Sequence, residues 1–334
     1  MYGFIRILFQ FLEIIYNMNK LLLIRNAELF QGEKYLNKKK QYFEGWYIKN
    51  TTLQNGIAFI PGINIDDVGA KAFIQVITKN KSYFVNYDIK DFEYAHSPFC
   101  VKIADNSFSD RNIIINIDDE AQNLKIHGNI EYSNSKNIHT NAFAPNIMGP
   151  FSYIPFMECN HAIISMQNTI NGYININNET ISFDNHRGYI EKDWGCSFPK
   201  SYIWCQGNNF QKRDASFMFS IADIPFKLFS FKGFICVLLI DNKEFKFTTY
   251  NNAKLIECMI NEDSFSITFK KGLYILNVKS KYSKGLKLAA PVKGSMAKEI
   301  FESICASITV TLKKGKEIIF CDTSNMCGLE IVEN

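Results

Sequence analysis

The chain repeats itself. Trp46, Asn50, Phe59 and Ile63 line up with Trp204, Asn208, Phe217 and Ile221 at one constant spacing. The match continues with small slips: AFIQVITKNKSYF at 72–84 resembles GFICVLLIDNKEFKF at 233–247, IADNSFS at 103–109 resembles INEDSFS at 260–266, and FDNHRGYIE at 183–191 resembles FCDTSNMCGLEI at 320–331. A unit of roughly 150 residues has been used twice, and any fold assigned to the chain has to accommodate two copies of it.

From Gln41 onward the unit reads as short strands separated by turn signals such as Asn55-Gly56, Pro61-Gly62, Asn177-Asn178, Asp241-Asn242 and Lys314-Gly315. Helical periodicity is present only near the start and around Met296 to Ile304. The 29 Phe and 16 Tyr favour strands over helices, and 334 residues exceed what one core usually serves. These features predict an all-β chain of two lipocalin-like antiparallel β-barrels related by duplication, since closed barrels of such strands keep no exposed edge and can hold an apolar ligand. The expected division is an N-terminal extension over 1–30, a first barrel over 31–191 and a second over 192–334. Asn134 to Met157, punctuated by Pro145, Gly149-Pro150 and Pro155, is too rich in Phe, Met and Tyr for a solvated linker and is expected to pack over a barrel mouth.

Residues 1–24 are apolar, yet Arg6, Gln10, Glu13, Asn17 and Lys20 form one polar stripe at helical spacing. That pattern predicts an amphipathic helix, docked on the protein or lying on a bilayer, and argues against a membrane span or a signal peptide. A mis-assigned start, with Met18 as the true first residue, is the alternative.

A net charge of +4 spread along the chain, with Lys38 to Lys40 as the tight basic run, makes nucleic acid a poor partner. Nine cysteines without a C-x-x-C pair suit a reduced, cytoplasmic setting, with the protein either free or peripheral to a membrane. Cys159 with His161 and Cys196 with Cys205 have no recognised ligand spacing, so no metal is expected. No nucleotide-binding motif appears, and no cofactor is expected.

The stretch His186 to Gln206 carries Trp194 and Trp204, the charged run Glu191, Lys192, Asp193, and a Ser-Phe-Pro-Lys break at 197–200. The strand period of two puts Glu191 and Asp193 on one face, and Tyr202, Trp204 and Gln206 on one face. Read functionally, acids and aromatics converge from neighbouring elements; read structurally, they are a solvated rim and a core.

YFEGWYIKN at 42–50, preceded by ELFQG at 28–32, GPFSYIPFMECNHAIISM at 149–166, GYIEKDWGCSFPKSYIWCQGNNF at 188–210, APVKGSM at 290–296, ES at 302–303 and GLEIV at 328–332 together resemble the tocopherol cyclase family. The resemblance implies a pair of lipocalin-like barrels and closure of a chromanol ring on a prenylated quinol. In that reaction an acid protonates the trisubstituted alkene and the phenol oxygen captures the tertiary cation. In the similar hydratases of isoprenoid alkenes, water captures the same kind of cation.

A carboxylic acid kept protonated in an apolar pocket contributes typically about 10²- to 10⁴-fold, and an indole face stabilises a nearby cation by roughly 0.5–2 kcal/mol. By match to the family motifs, the expected catalytic residues are Asp193 or Glu191 as acid, with His161 or Glu158 orienting or deprotonating the phenol. Trp194, Trp204, Trp46, Gln206, Glu44 and Lys192 are the expected substrate-binding residues. The structural reading stays open beside this one: Glu44 and Lys192 as a buried ion pair at the barrel junction or Lys192 as exposed, His161 as a core histidine, and one of Trp46 and Trp204 as a barrel plug. The expected partner is a hydrophobic small molecule, an isoprenoid or prenylated quinol. A hydratase of the isoprenoid alkene, and a carrier that binds such a lipid without converting it, are the competing functions.

Overall fold

The computed structural model describes residues 21–333 apart from Leu22, Asn37, Lys39, Phe156, Lys227 and Leu228. The polar stripe of the expected N-terminal helix, Arg6 to Lys20, lies outside the described residues. After a short helix α1 (Glu33–Leu36), the regular structure of the described chain is antiparallel strand with a few short 3-10 turns.

The first sheet holds β1 (Tyr42–Thr51), β2 (Gly56–Ile65), β3 (Ala70–Thr78), β4 (Ser82–Asp88), β5 (Phe92–Tyr94), β6 (Cys100–Ile103), β7 (Asn106–Ser109), β8 (Asn112–Asp119), β9 (Leu124–Lys136), β10 (Cys159–Ile176) and β11 (Glu179–Gly195). The second holds β12 (Tyr202–Gly207), β13 (Ala215–Phe226), β14 (Phe229–Ile240), β15 (Lys243–Thr248), β16 (Lys254–Ile260), β17 (Ser264–Lys271), β18 (Tyr274–Lys281), β19 (Leu286–Val292), β20 (Ser295–Lys314) and β21 (Glu317–Val332). Each sheet is a meander whose first strand pairs with its last, β1 with β11 and β12 with β21. The ladder then stops between β4 and β5 in one sheet and between β15 and β16 in the other. These are two nearly closed, lipocalin-like barrels with the same winding, as the repeat requires. Two of the predicted turns are tight hairpins with positive φ at both central residues: Asn177 and Asn178 join β10 to β11, and Asp241 and Asn242 join β14 to β15.

Each barrel encloses its own apolar core. Trp46, Ile48, Phe59, Ile74 and Phe108 fill the first, and Cys205, Phe217, Phe219, Phe247 and Phe269 fill the second. A third cluster, including Tyr47, Met166, Tyr189, Trp204, Met218, Val237 and Ile300, lies where the barrels press together. Strands β1 and β12 are therefore buried on both faces. By contrast β8 and β9 alternate buried and exposed residues, as strands with one solvated face do.

Two sequence expectations change here. The stretch Met296–Ile304 lies in β20, not in a helix. Burial every second residue at Ile300, Glu302 and Ile304, and again at Ala306, Ile308 and Val310, overrides the weak helical spacing. A register shift between Ser303 and Ala306 turns the strand, so that Ile300 and Ile304 face the barrel junction while Ile308 and Val310 face the second barrel's interior. Trp46 and Trp204, aligned in the repeat, also face different ways: Trp46 points into the first barrel and Trp204 into the junction, beside Tyr47. A slip of one residue in a strand exchanges its faces.

The segment between β9 and β10 carries a 3-10 turn over Gly149–Tyr153. It packs over the junction, where the Tyr250 hydroxyl of the second barrel donates to the Ile147 carbonyl. The Ser-Phe-Pro-Lys break at 197–200 crosses between the barrels and is held by the β19–β20 hairpin: Phe198 N donates to Pro291 O, Lys293 N to Ser197 Oγ and Gly294 N to Cys196 O.

Candidate active site

Strand β11 separates two chemistries by its alternation. In register with β1, Lys192 lies opposite Trp46 and Trp194 opposite Glu44, while Glu191 lies opposite Tyr47 and Asp193 opposite Gly45. The first set faces the interior of the first barrel, and the second faces the junction.

Inside the barrel, Lys192 Nζ meets Glu44 Oε1 at 2.5 Å with both side chains fully buried. It also donates to the carbonyls of Ala27 and Leu29 and lies 4.8 and 4.9 Å from the ring centroids of Trp46 and Trp194. Glu44 accepts from the Tyr42 hydroxyl and from Gln31 N. This is a satisfied ion pair that ties residues 27–31 across the barrel. Lys192 is not exposed, and the pair lies within the first barrel and not at the junction.

At the junction a cavity of about 180 Å³ opens between the barrels. Its walls are mainly apolar, from Phe43, Phe73, Phe198, Phe234, Leu288 and Ile300, with Met148, Phe151 and Met157 closing over it. It is smaller than the roughly 300–1,000 Å³ usual for drug-sized ligands. It would therefore hold a small molecule or one end of a longer one.

Into this apolar space project His161, Glu191 and Asp193 from the first barrel, with Tyr202, Trp204 and Glu330 from the second. His161 Nδ1 lies 2.9 Å from Asp193 Oδ1, and its Nε2 is 3.5 Å from Glu191 Oε2. Glu191 Oε2 also accepts from the Tyr189 hydroxyl at 2.5 Å and from Trp204 Nε1 at 3.2 Å. Burial raises the Glu191 pKa to about 7, against the opposing pull of His161. Burial alone would lower the imidazole, but the charges of Asp193 and Glu191 outweigh it and bring His161 to about 9.

The structure thus brings together Asp193, Glu191, His161 and Trp204. Glu44, Trp46, Lys192 and Trp194 belong to the barrel interior, and Gln206 is buried further along the face of Trp204 without lining the cavity. Glu158 is exposed and does not line it either. His161, Glu191 and Asp193 have donor atoms within 4.8 Å of one another. With Nδ1 bonded to Asp193, the imidazole would offer a cation only Nε2, and only after losing its proton.

Sequence reasoning placed Tyr202 on the face of Trp204 without giving it a role, and missed Tyr47, Tyr189, Glu302 and Glu330. Tyr47 donates to Glu302 Oε1 and Tyr202 to Glu330 Oε2, both at 2.5 Å. The signal was within reach, because the motifs ES at 302–303 and GLEIV at 328–332 each contain one of these acids.

Fold and site together define a double lipocalin-like barrel with acids gathered in the seam. The chain belongs to the tocopherol cyclase-like family, whose match covers residues 116–332. Two solved structures share the fold. An AttH protein from Nitrosomonas europaea has a TM-score of 0.51 at 12% identity, over 91% of this chain and 97% of that one. Kievitone hydratase from Nectria haematococca has a TM-score of 0.50 at 10% identity, over 91% and 93%. No protein of curated function matches the sequence.

Proposed function

We propose that the protein is a cofactor-free enzyme that protonates the trisubstituted alkene of an isoprenoid chain and lets an oxygen nucleophile capture the cation, closing a chromanol ring on a prenylated quinol. The observation that carries this reading is that carboxyl groups, and not aromatics alone, face the apolar cavity. A lipid carrier needs only the apolar wall.

Glu191 is the acid in this reading. With a pKa of about 7 it holds a proton in a dry pocket near neutral pH. After transfer its carboxylate is met by His161, the Tyr189 hydroxyl and Trp204 Nε1. Asp193 holds the imidazole in place. The rings of Trp204 and Tyr202 line the space in which the tertiary cation forms, and their faces favour it. His161, protonated below about 9, is poorly suited to take the phenol proton.

A cytoplasmic protein drawing such a substrate from a bilayer suits the amphipathic stripe at the N-terminus. Fractionation of the chain beginning at Met18 checks this. A membrane role predicts that the shortened chain is less membrane-associated.

The deciding experiment combines mass spectrometry of lipids that co-purify with the protein and incubation with a prenylated 1,4-hydroquinone, each repeated with Asp193→Asn. Cyclisation yields an isomer of unchanged mass, hydration a product heavier by one water, and a carrier binds without converting. Binding with no conversion by the wild-type chain overturns the enzyme reading.

A further inference from the structure

The proposed chemistry releases a proton as well as consuming one, and no group has yet been assigned to take it. The opposite wall of the cavity supplies one. Glu302 on β20 and Glu330 on β21 are direct cross-strand partners, and Glu330 is also the cross-strand partner of Trp204. Such partners share a face. Glu330 lines the cavity, and Glu302 stands behind it, fully buried.

The hydrogen bonds distinguish the two acids. Glu302 Oε1 accepts from the Tyr47 hydroxyl, whereas its Oε2 is buried and meets no hydrogen-bond donor among the described residues. A buried carboxylate oxygen in that position is costly unless it carries a proton and donates it. The neighbour placed to accept is Glu330, whose Oε2 is already held by Tyr202. A proton on Glu302 Oε2 would be donated to Glu330, the member presented to the cavity.

We propose that Glu330, backed by Glu302, is the base of this site and takes the proton of the attacking oxygen on the wall opposite Glu191. The Glu191 proton goes to the less substituted alkene carbon, where the π pair forms the new C–H bond. An oxygen lone pair forms the C–O bond to the tertiary carbon. The O–H bond breaks, its electron pair stays on oxygen, and its proton goes to Glu330. Glu191 ends ionised and Glu330 protonated. Return of that proton to Glu191 completes an isomerisation with no co-reactant.

The electrostatics agree. Burial raises the Glu330 pKa to about 7, opposed by the bonds from Tyr202 and Glu302 and assisted by the charge of Asp193. Burial, then the charge of Glu330, pushes Glu302 well above the carboxylate range. The titratable groups around the pair are Tyr202 on β12, Asp193 and Glu191 on β11, and Tyr47 and Lys49 on β1. His161 on β10 faces Glu191 and Asp193.

The assignment rests on the cyclase reading, so its test has a readout that does not need turnover. Infrared titration of the buried carboxyl C=O bands in the wild-type chain, Glu330→Gln and Glu191→Gln is expected to show a separate carboxyl titrating near neutral pH lost in each variant. With a prenylated hydroquinone, the wild-type rate should be bell-shaped and peak near pH 7. Glu330→Gln should lower it by about 10²- to 10⁴-fold, losing the acidic limb and keeping the alkaline one. Glu302→Leu should move the acidic limb to higher pH, because ionised Glu330 loses a donor; a merely structural Glu302 would lower the melting temperature and leave the limb in place.

A full rate with an unchanged bell in folded Glu330→Gln overturns the assignment, as does an infrared titration in which that variant loses no carboxyl. If the wild-type chain converts no prenylated hydroquinone while the infrared result is as expected, the cyclase reading fails and the Glu302–Glu330 pair stands.

Discussion

His161 and Asp193 lie directly opposite one another on β10 and β11, and the imidazole Nδ1 rests 2.9 Å from the carboxyl Oδ1. That contact orients the ring so that Nε2 faces Glu191 on the same strand as Asp193. Two acids thus hold one imidazole from two sides, and its charge reaches the acid assigned to the alkene.

Replacing Asp193 by Asn removes the nearer of these charges. The His161 pKa, now about 9, is expected to fall, because burial then acts against Glu191 alone. Titration of the imidazole by NMR reads this directly. Turnover should drop, with substrate binding nearly intact, because the imidazole that faces Glu191 is no longer held in place.

Glu191 and Glu330 make stability depend on pH in an unusual direction. Both have folded pKa values raised to about 7, above the roughly 4.3 of an unfolded glutamate. From the lower to the higher value the folded chain keeps protons that the unfolded chain has released, so stability falls as pH rises through that window. Glu191→Gln and Glu330→Gln each lack their own share of the effect. Each should be more stable than wild type at pH 8 in chemical denaturation, with the gap shrinking towards pH 4.

The pair Glu44–Lys192 contributes to the first barrel and not to the cavity. Glu44→Ala leaves an ammonium fully buried and should cost about 3–5 kcal/mol. Adding Lys192→Met removes the stranded charge and should restore much of that loss, a non-additivity that a double-mutant cycle measures.

Gly294 closes the β19–β20 hairpin at φ +78°, and a Cβ there would stand 2.0 Å from the Ile65 carbonyl oxygen. The same residue donates to Cys196 O. Gly294→Ala should therefore destabilise by more than about 1 kcal/mol and loosen the junction between the barrels. Thermal denaturation and faster amide exchange at Cys196 and Ser197 would show it.

Much of this protein was determined by local pattern. The duplication, the strand character and the turns at Asn177-Asn178 and Asp241-Asn242 are local properties of the chain. So is the alternation that sets Glu191 and Asp193 against Lys192 and Trp194, because side chains on a strand alternate whatever surrounds it. Which of the two faces is the cavity was decided only by tertiary structure. Period two distinguishes the faces of β11 without saying that one lies inside a barrel and the other against a second barrel. The same limit hid the burial of Lys192 and the opposed directions of Trp46 and Trp204, where one residue of phase exchanges inside for outside. Glu302 and Glu330 meet the first barrel's acids only because the barrels close and press together, a contact made by strand pairing far apart in the chain and carried by no local periodicity.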